Sequence, residues 1–221
     1  FPIKNVINYV WNTLKTTFLK NALLVVLLIF TFSKSNTGPE FGLTLGMGID
    51  NLHNSSYTTQ VENDLHLGIS AGIIGRFVTG KSSKFIPALT FNQKGHGYDN
   101  SNVKLNLNYL CADLFFEWQP RNKLFFELGP QFAYLLSAKK VFGNYYGTVV
   151  SITSRYCKLD VLGCAGLGLN FSSKTSVAIR YLYGFLNIEK QFDPGYSSYY
   201  ISDYGTYNRQ ITFSFRYFLE Q

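Results

Sequence analysis

The sequence predicts an all-β protein: an eight-stranded antiparallel up-and-down transmembrane β-barrel. Three observations predict it. Eight segments alternate large apolar residues with small or polar ones at a period of two. That is how a strand reads with lipid on one face and a barrel interior on the other. The connections between the segments run long, short, long, short, long, short, long, the rhythm of outer loops and periplasmic turns. Aromatic residues make up 17% of the 221, with 20 Phe and 16 Tyr, an excess that favours β structure and interfacial girdles. Mean hydropathy is +0.01, too polar for a bundle of membrane helices and ordinary for a barrel.

Residues 1–35 read as a leader and residues 36–221 as the barrel domain. Lys15 and Lys20 precede the apolar run Ala22–Phe32, and Ser33-Lys34-Ser35 follows it. This order makes a cleaved secretory signal peptide with a long n-region. The run falls short of the ~20 residues that span a bilayer. A buried helix or an uncleaved anchor is the alternative. The formal charge is +7, and Lys4, Lys15, Lys20 and Lys34 all lie in the leader, which has no acid. Subtracting those four from 20 basic residues leaves 16 against 13 acidic, a net +3. The body has no basic stripe with interleaved aromatics, which argues against nucleic-acid binding.

The first strand is Phe41–Ile49, where large apolar residues alternate with Gly or Thr. A narrow interior needs such small residues. After a polar loop at 50–64, the second strand aims Leu65, Leu67, Ile69, Ala71, Ile73 and Phe77 outward and His66, Gly68, Ser70, Gly72 and Arg76 inward. A short turn at 79–84 leads to the third, Phe85–Lys94, with Leu89 and Phe91 outward, Ala88, Thr90 and Asn92 inward, and Pro87 near its start. Another polar loop covers 95–102.

The fourth and fifth strands form the central hairpin, turning at Gln119-Pro120-Arg121-Asn122-Lys123. Val103–Trp118 changes parity: Leu105, Leu107 and Tyr109 share one face, and Leu110, Ala112, Leu114, Phe116 and Trp118 the other. A single parity with the first three outward would put Asp113 and Glu117 in lipid, at several kcal/mol. A β-bulge near Tyr109–Cys111 is therefore expected; residues 103–109 standing above the membrane is the alternative. Leu124–Leu136 follows, with Phe126, Leu128, Phe132 and Tyr134 outward and Phe125, Glu127, Gln131 and Ala133 inward.

A long loop spans about 139–154. The sixth strand, Tyr156–Phe171, sends Leu159, Val161, Ala165, Leu167 and Leu169 outward and Asp160, Gly166, Gly168 and Asn170 inward. A turn at 172–175 precedes the seventh, Ser176–Ile188, with Val177, Ile179, Tyr181, Tyr183 and Phe185 outward and Arg180 inward. After a loop at 189–207, Asn208–Glu220 points Ile211, Phe213, Phe215, Tyr217 and Leu219 outward and Thr212, Ser214 and Arg216 inward. Closure on the first strand removes edges that lipid would punish.

The inward charges Arg76, Asp113, Glu117, Glu127, Asp160, Arg180 and Arg216 form the candidate site. A self-neutralising salt-bridge network that fills the lumen is the favoured reading, since eight strands enclose little more than their own side chains. A proton or ion path is the alternative. Gly68-Ile69-Ser70-Ala71-Gly72 matches a hydrolase pattern that needs a strand-to-helix turn, absent here. His66 lies four residues from Ser70 on one strand, roughly 13 Å, too far for a Ser–His hydrogen bond. His53 and His96 fall in outer loops without ligand-spaced companions, so neither a metal nor a cofactor is expected. Cys157 and Cys164 share one strand, roughly 23 Å apart, and cannot pair there. Cys111 lies in the central hairpin. The loop tyrosines Tyr145, Tyr146, Tyr196, Tyr199, Tyr200, Tyr204 and Tyr207 are candidates for binding a partner protein or glycan; strand extension with an aromatic girdle is the alternative.

Asn108-Tyr109-Leu110 leading into Leu114-Phe115-Phe116, then Leu128-Gly129-Pro130 and Tyr134–Lys139, resembles the PorT-like outer-membrane β-barrel family of Bacteroidetes. Phe91–Gly95 and Arg180–Gly184 are similar to that family too. Cys111-Ala112-Asp113 departs from the Glu-Ile-Pro-like run usual there. The resemblance covers roughly residues 40–221. It implies an integral, monomeric barrel in the outer membrane, surrounded by lipid. A structural or accessory envelope role without enzymatic activity is expected, with a link to type IX protein secretion and contacts to other envelope or secretion-system proteins. A small passive pore or a surface-binding barrel is the alternative.

Overall fold

The odd–even alternation builds a ring. The computed structural model describes residues 38–54, 63–64, 66–98, 103–121, 123–143, 148–190 and 205–219. The leader, with its signal peptide, lies outside the described residues. Eight long strands follow in chain order: β1 (Glu40–Asn54), β3 (His66–Val78), β4 (Ser83–Tyr98), β5 (Val103–Trp118), β6 (Leu124–Phe142), β8 (Leu159–Asn170), β9 (Thr175–Gly184) and β10 (Thr206–Phe218). Each pairs antiparallel with its neighbours, and β10 pairs with β1 from Gly42↔Phe218 to Asn54↔Thr206, which closes the ring. Two short strands sit at the outer end. β2 (Asn63–Asp64) pairs with β4 and β7 (Val149–Ser151) pairs with β6.

The two faces meet different surroundings. Outward Leu67 and Leu128 are 74% and 67% exposed, while Leu105, Leu107 and Leu135 are 0% exposed inside. A continuous belt of exposed large apolar residues is stable only against hydrocarbon. Aromatic pairs mark its inner edge: Trp118 stacks on Phe126 at 6.0 Å, and the Phe41 and Phe85 rings each lie 6.4 Å from Phe77. Phe77 has the expected outward parity, yet these rings bury it. Gly75 makes the room, since a Cβ there would meet the Phe77 ring at 3.0 Å.

The strands rise above the belt. β6 has 19 residues, well beyond the ~9–11 that cross a bilayer. Its outer part forms a hairpin with β7, so the expected loop at 139–154 is largely ordered. A 3-10 turn, Thr153–Arg155, follows, and Thr153 Oγ1 accepts from the Ala138 N–H at 2.9 Å. β4 runs on to Tyr98, β8 begins later than expected, at Leu159, and β9 ends earlier, at Gly184.

β5 corrects the expected bulge. Its alternation is unbroken, and Leu105, Leu107, Tyr109, Cys111, Asp113, Phe115 and Glu117 all face inward. The register shift lies between Asn108↔Ser137 and Tyr109↔Leu135, so the extra residue belongs to β6. Asp113 and Glu117 avoid lipid because Leu105, Leu107 and Tyr109 point into the barrel with them. Lys104, Asn106 and Asn108 take the outward positions, above the hydrocarbon.

Candidate functional site

The lumen is filled by side chains. Near the end that carries the short turns, five strands each contribute one charged side chain at an inward position. Glu117 on β5 and Glu127 on β6 are cross-strand partners, a like-charge pairing that needs cations. Arg216 of β10 lies between them, with Nη1 donating to Glu117 at 3.4 Å and Nη2 donating to Glu127. Arg180 Nε donates to the other Glu127 oxygen at 2.8 Å. Lys84 Nζ donates to Glu117 at 3.1 Å and to Gln119 at 2.7 Å. The result is one chain, Arg180–Glu127–Arg216–Glu117–Lys84. Phenyl rings line it: the Arg216 and Arg180 guanidinium carbons lie 5.5 Å and 5.0 Å from the Phe125 and Phe115 ring centres. Gly168 leaves space for Phe125, whose ring would lie 2.2 Å from a Cβ there.

The other three of the seven sequence-predicted charges stand apart from this chain. Arg76 pairs with Glu40 and donates to the Ser173 carbonyl at 2.6 Å, with its guanidinium 3.9 Å from the Phe218 ring centre. Asp113 accepts from Gln131 Nε2 at 2.7 Å and Thr90 Oγ1 at 3.3 Å. Asp160 accepts from Asn208 Nδ2 at 2.7 Å. Lys94 donates to Gln131 at 3.0 Å and lies 5.5 Å from the Tyr109 ring centre. Lys84, Lys94 and Glu40 were absent from the expected network. Lys94 shares the inward parity of Thr90 and Asn92, and that signal was readable. Lys84 and Glu40 lie at strand starts, where parity is hard to read.

Farther from the short turns the filling mixes apolar and polar side chains: buried His96 and Asn208 lie opposite Leu105 and Leu52. Leu52, Leu105, Leu107, Leu135, Ala138, Ile152, Tyr156 and Ile188 belong to one buried cluster. An interior cavity of about 20 Å³, lined by Thr44, Thr90, Asp113, Gln131, Arg180 and Thr212 among others, lies in the middle of the lumen. That is room for about one water molecule.

The remaining candidates are placed as follows. Ser70 sits within β3, and His66 points at Asp50 (3.6 Å) and Asn106 (3.1 Å) instead. His96 is not in a loop. It is buried on β4, because the strand continues past Lys94. His53 likewise falls on β1, opposite Tyr207. No group of three or more His, Cys, Asp or Glu suited to a metal occurs among the described residues. Cys111, Cys157 and Cys164 are free thiols. Tyr207 is half-buried on β10; Tyr145, Tyr146, Tyr196, Tyr199, Tyr200 and Tyr204 lie outside the described residues.

Residues 33–190 match the family model described as an outer membrane protein beta-barrel domain. The chain belongs to this family. The match stops before β10, the strand that completes the ring. Among solved structures the barrel is similar to Neisserial surface protein A, at 10% identity and a TM-score of 0.53, over 82% of this chain and 99% of that one. It is also similar to Ail of Yersinia pestis, at 13% identity and a TM-score of 0.45, over 83% and 100%. OprG of Pseudomonas aeruginosa gives 9% identity and a TM-score of 0.40, over 86% and 99%. Such identities speak to fold alone. No curated protein sequence matches the chain. The protein is an integral outer-membrane barrel.

Proposed function

We propose that this barrel works without catalysis, as a structural or accessory component of the outer membrane with a closed lumen. The observation that carries this reading is the filled lumen: a paired charge chain near the short turns and a buried hydrophobic cluster that runs the length of the barrel. An ion would have to leave water and displace paired charges and packed side chains along the whole lumen, which is costly. The Ser70–His66 geometry also supports a non-enzymatic role. In planar bilayers the full barrel is expected to give no stable channel. A reproducible unitary conductance would instead support the small passive pore.

A finer role rests on the resemblance of the central hairpin to the PorT-like family. On that reading the barrel serves an envelope machine, with type IX secretion the first candidate. Crosslinking in intact cells should recover secretion-system proteins; recovery of lipid-facing neighbours alone would count against it. The Tyr-rich loop sequences favour surface binding as a second reading, tested by replacing residues 196–204 and measuring capture of surface ligands.

A further inference from the structure

On the outer wall, β8 forms the floor of an apolar groove of about 460 Å³. Leu128 and Pro130 flank one side, and Tyr181, Tyr183 and Phe185 the other. Gly163 gives the floor its depth: it pairs with Pro130 and Tyr183, and a Cβ there would meet the Phe185 ring at 2.9 Å. The groove lies within the lipid-facing belt, so its occupant must be apolar. Cations stand beside and above it. Arg209 is the cross-strand partner of Tyr183, with its guanidinium 5.2 Å from that ring centre. Its buried Nε has no hydrogen bond among the described residues. Lys158, just ahead of β8, holds its ammonium 5.9 Å from the Tyr134 ring centre.

No carboxylate pairs with either cation among the described residues, and the outward positions of the eight long strands carry no Asp or Glu. We infer that this groove holds an acyl chain of a phosphate-bearing lipid of the outer leaflet, whose headgroup is bound by Arg209 and Lys158. Charge complementarity selects this occupant. An isologous contact with a second copy would bring the same cations face to face, and an uncharged lipid would leave both unmatched.

The test uses the full chain in non-ionic detergent, with bisphosphorylated lipid A and the same lipid after enzymatic dephosphorylation, read by native mass spectrometry. Two cations near a charged surface make the expected preference for the phosphorylated form on the order of thirty-fold. Lys158→Gln with Arg209→Gln should abolish that preference and keep the heat-shifted gel mobility of a folded barrel. Gly163→Leu should reduce retention of both lipids. Lys81→Gln with Lys123→Gln, in the periplasmic turns, should behave as wild type. Equal retention of the two lipids by wild type would overturn the proposal. So would undiminished retention by the Gly163 variant, or an equal loss of preference in the turn variant.

Discussion

At the residue scale, Glu127 is the joint of the interior. Among the described residues it is the one carboxylate shared by Arg180 and Arg216, and it is 3% exposed. Glu127→Gln keeps the shape and removes the charge. Two buried guanidiniums then lose their common partner, and a loss of about 3 kcal/mol is expected. It should appear as a lower urea midpoint for the refolded barrel, with folded gel mobility retained at low denaturant. Adding Arg216→Met should restore part of the loss, because the groups interact directly. Arg180, Glu127 and Arg216 were legible in the sequence as inward positions of strands whose other face is largely apolar. Their partnerships were not, because parity gives direction and not height. Only register, set across five strands, brings Lys84 to Glu117 and leaves Arg76 with Glu40.

At the scale of elements, the informative case is the central hairpin. Its turn, the end of β5 and the start of β6 follow from the break at 119–123. The bulge was misplaced by one strand, for a physical reason. Parity reads two solvents, hydrocarbon outside and polar filling inside. In the outer third of the barrel this contrast fades: Leu105, Leu107 and Leu135 pack inside beside buried Lys94 and His96, and the outside carries Lys104, Asn106 and Asn108. Apolar residues there no longer mean lipid. The bulge on β6 is followed by the hairpin to β7, pinned by Thr153. Its Oγ1 accepts from the Ala138 N–H and donates to the Ala138 carbonyl at 3.3 Å. Thr153→Val removes both bonds and is expected to cost about 1–2 kcal/mol locally. Limited proteolysis should cut faster within residues 143–152, while the barrel's heat-shifted mobility stays unchanged.

At the scale of the whole molecule, connection lengths predict an orientation. The turns at 79–82, 119–123 and 171–174 lie at one end, and the β6–β7 hairpin at the other. With short turns in the periplasm, Val150→Cys in a Cys157→Ser background should react with a membrane-impermeant maleimide on intact cells. Ser172→Cys should react only after lysis. The reverse pattern would invert the barrel. Strand number and closure were readable in advance because each follows from repetition along the chain. The buried hydrophobic cluster was not, since it gathers Leu52, Ile152, Tyr156 and Ile188 from segments that share no period.

The seam between β1 and β10 sets the order of assembly. These strands come from opposite ends of the described chain and run side by side through thirteen matched positions. Every other junction of the ring is local and can zip up as its hairpin emerges. This one waits for the final strand, and long-range pairing of that kind is slow. Until it closes, two unpaired strand edges face lipid together, and the unsealed flank is where wrong pairing would begin.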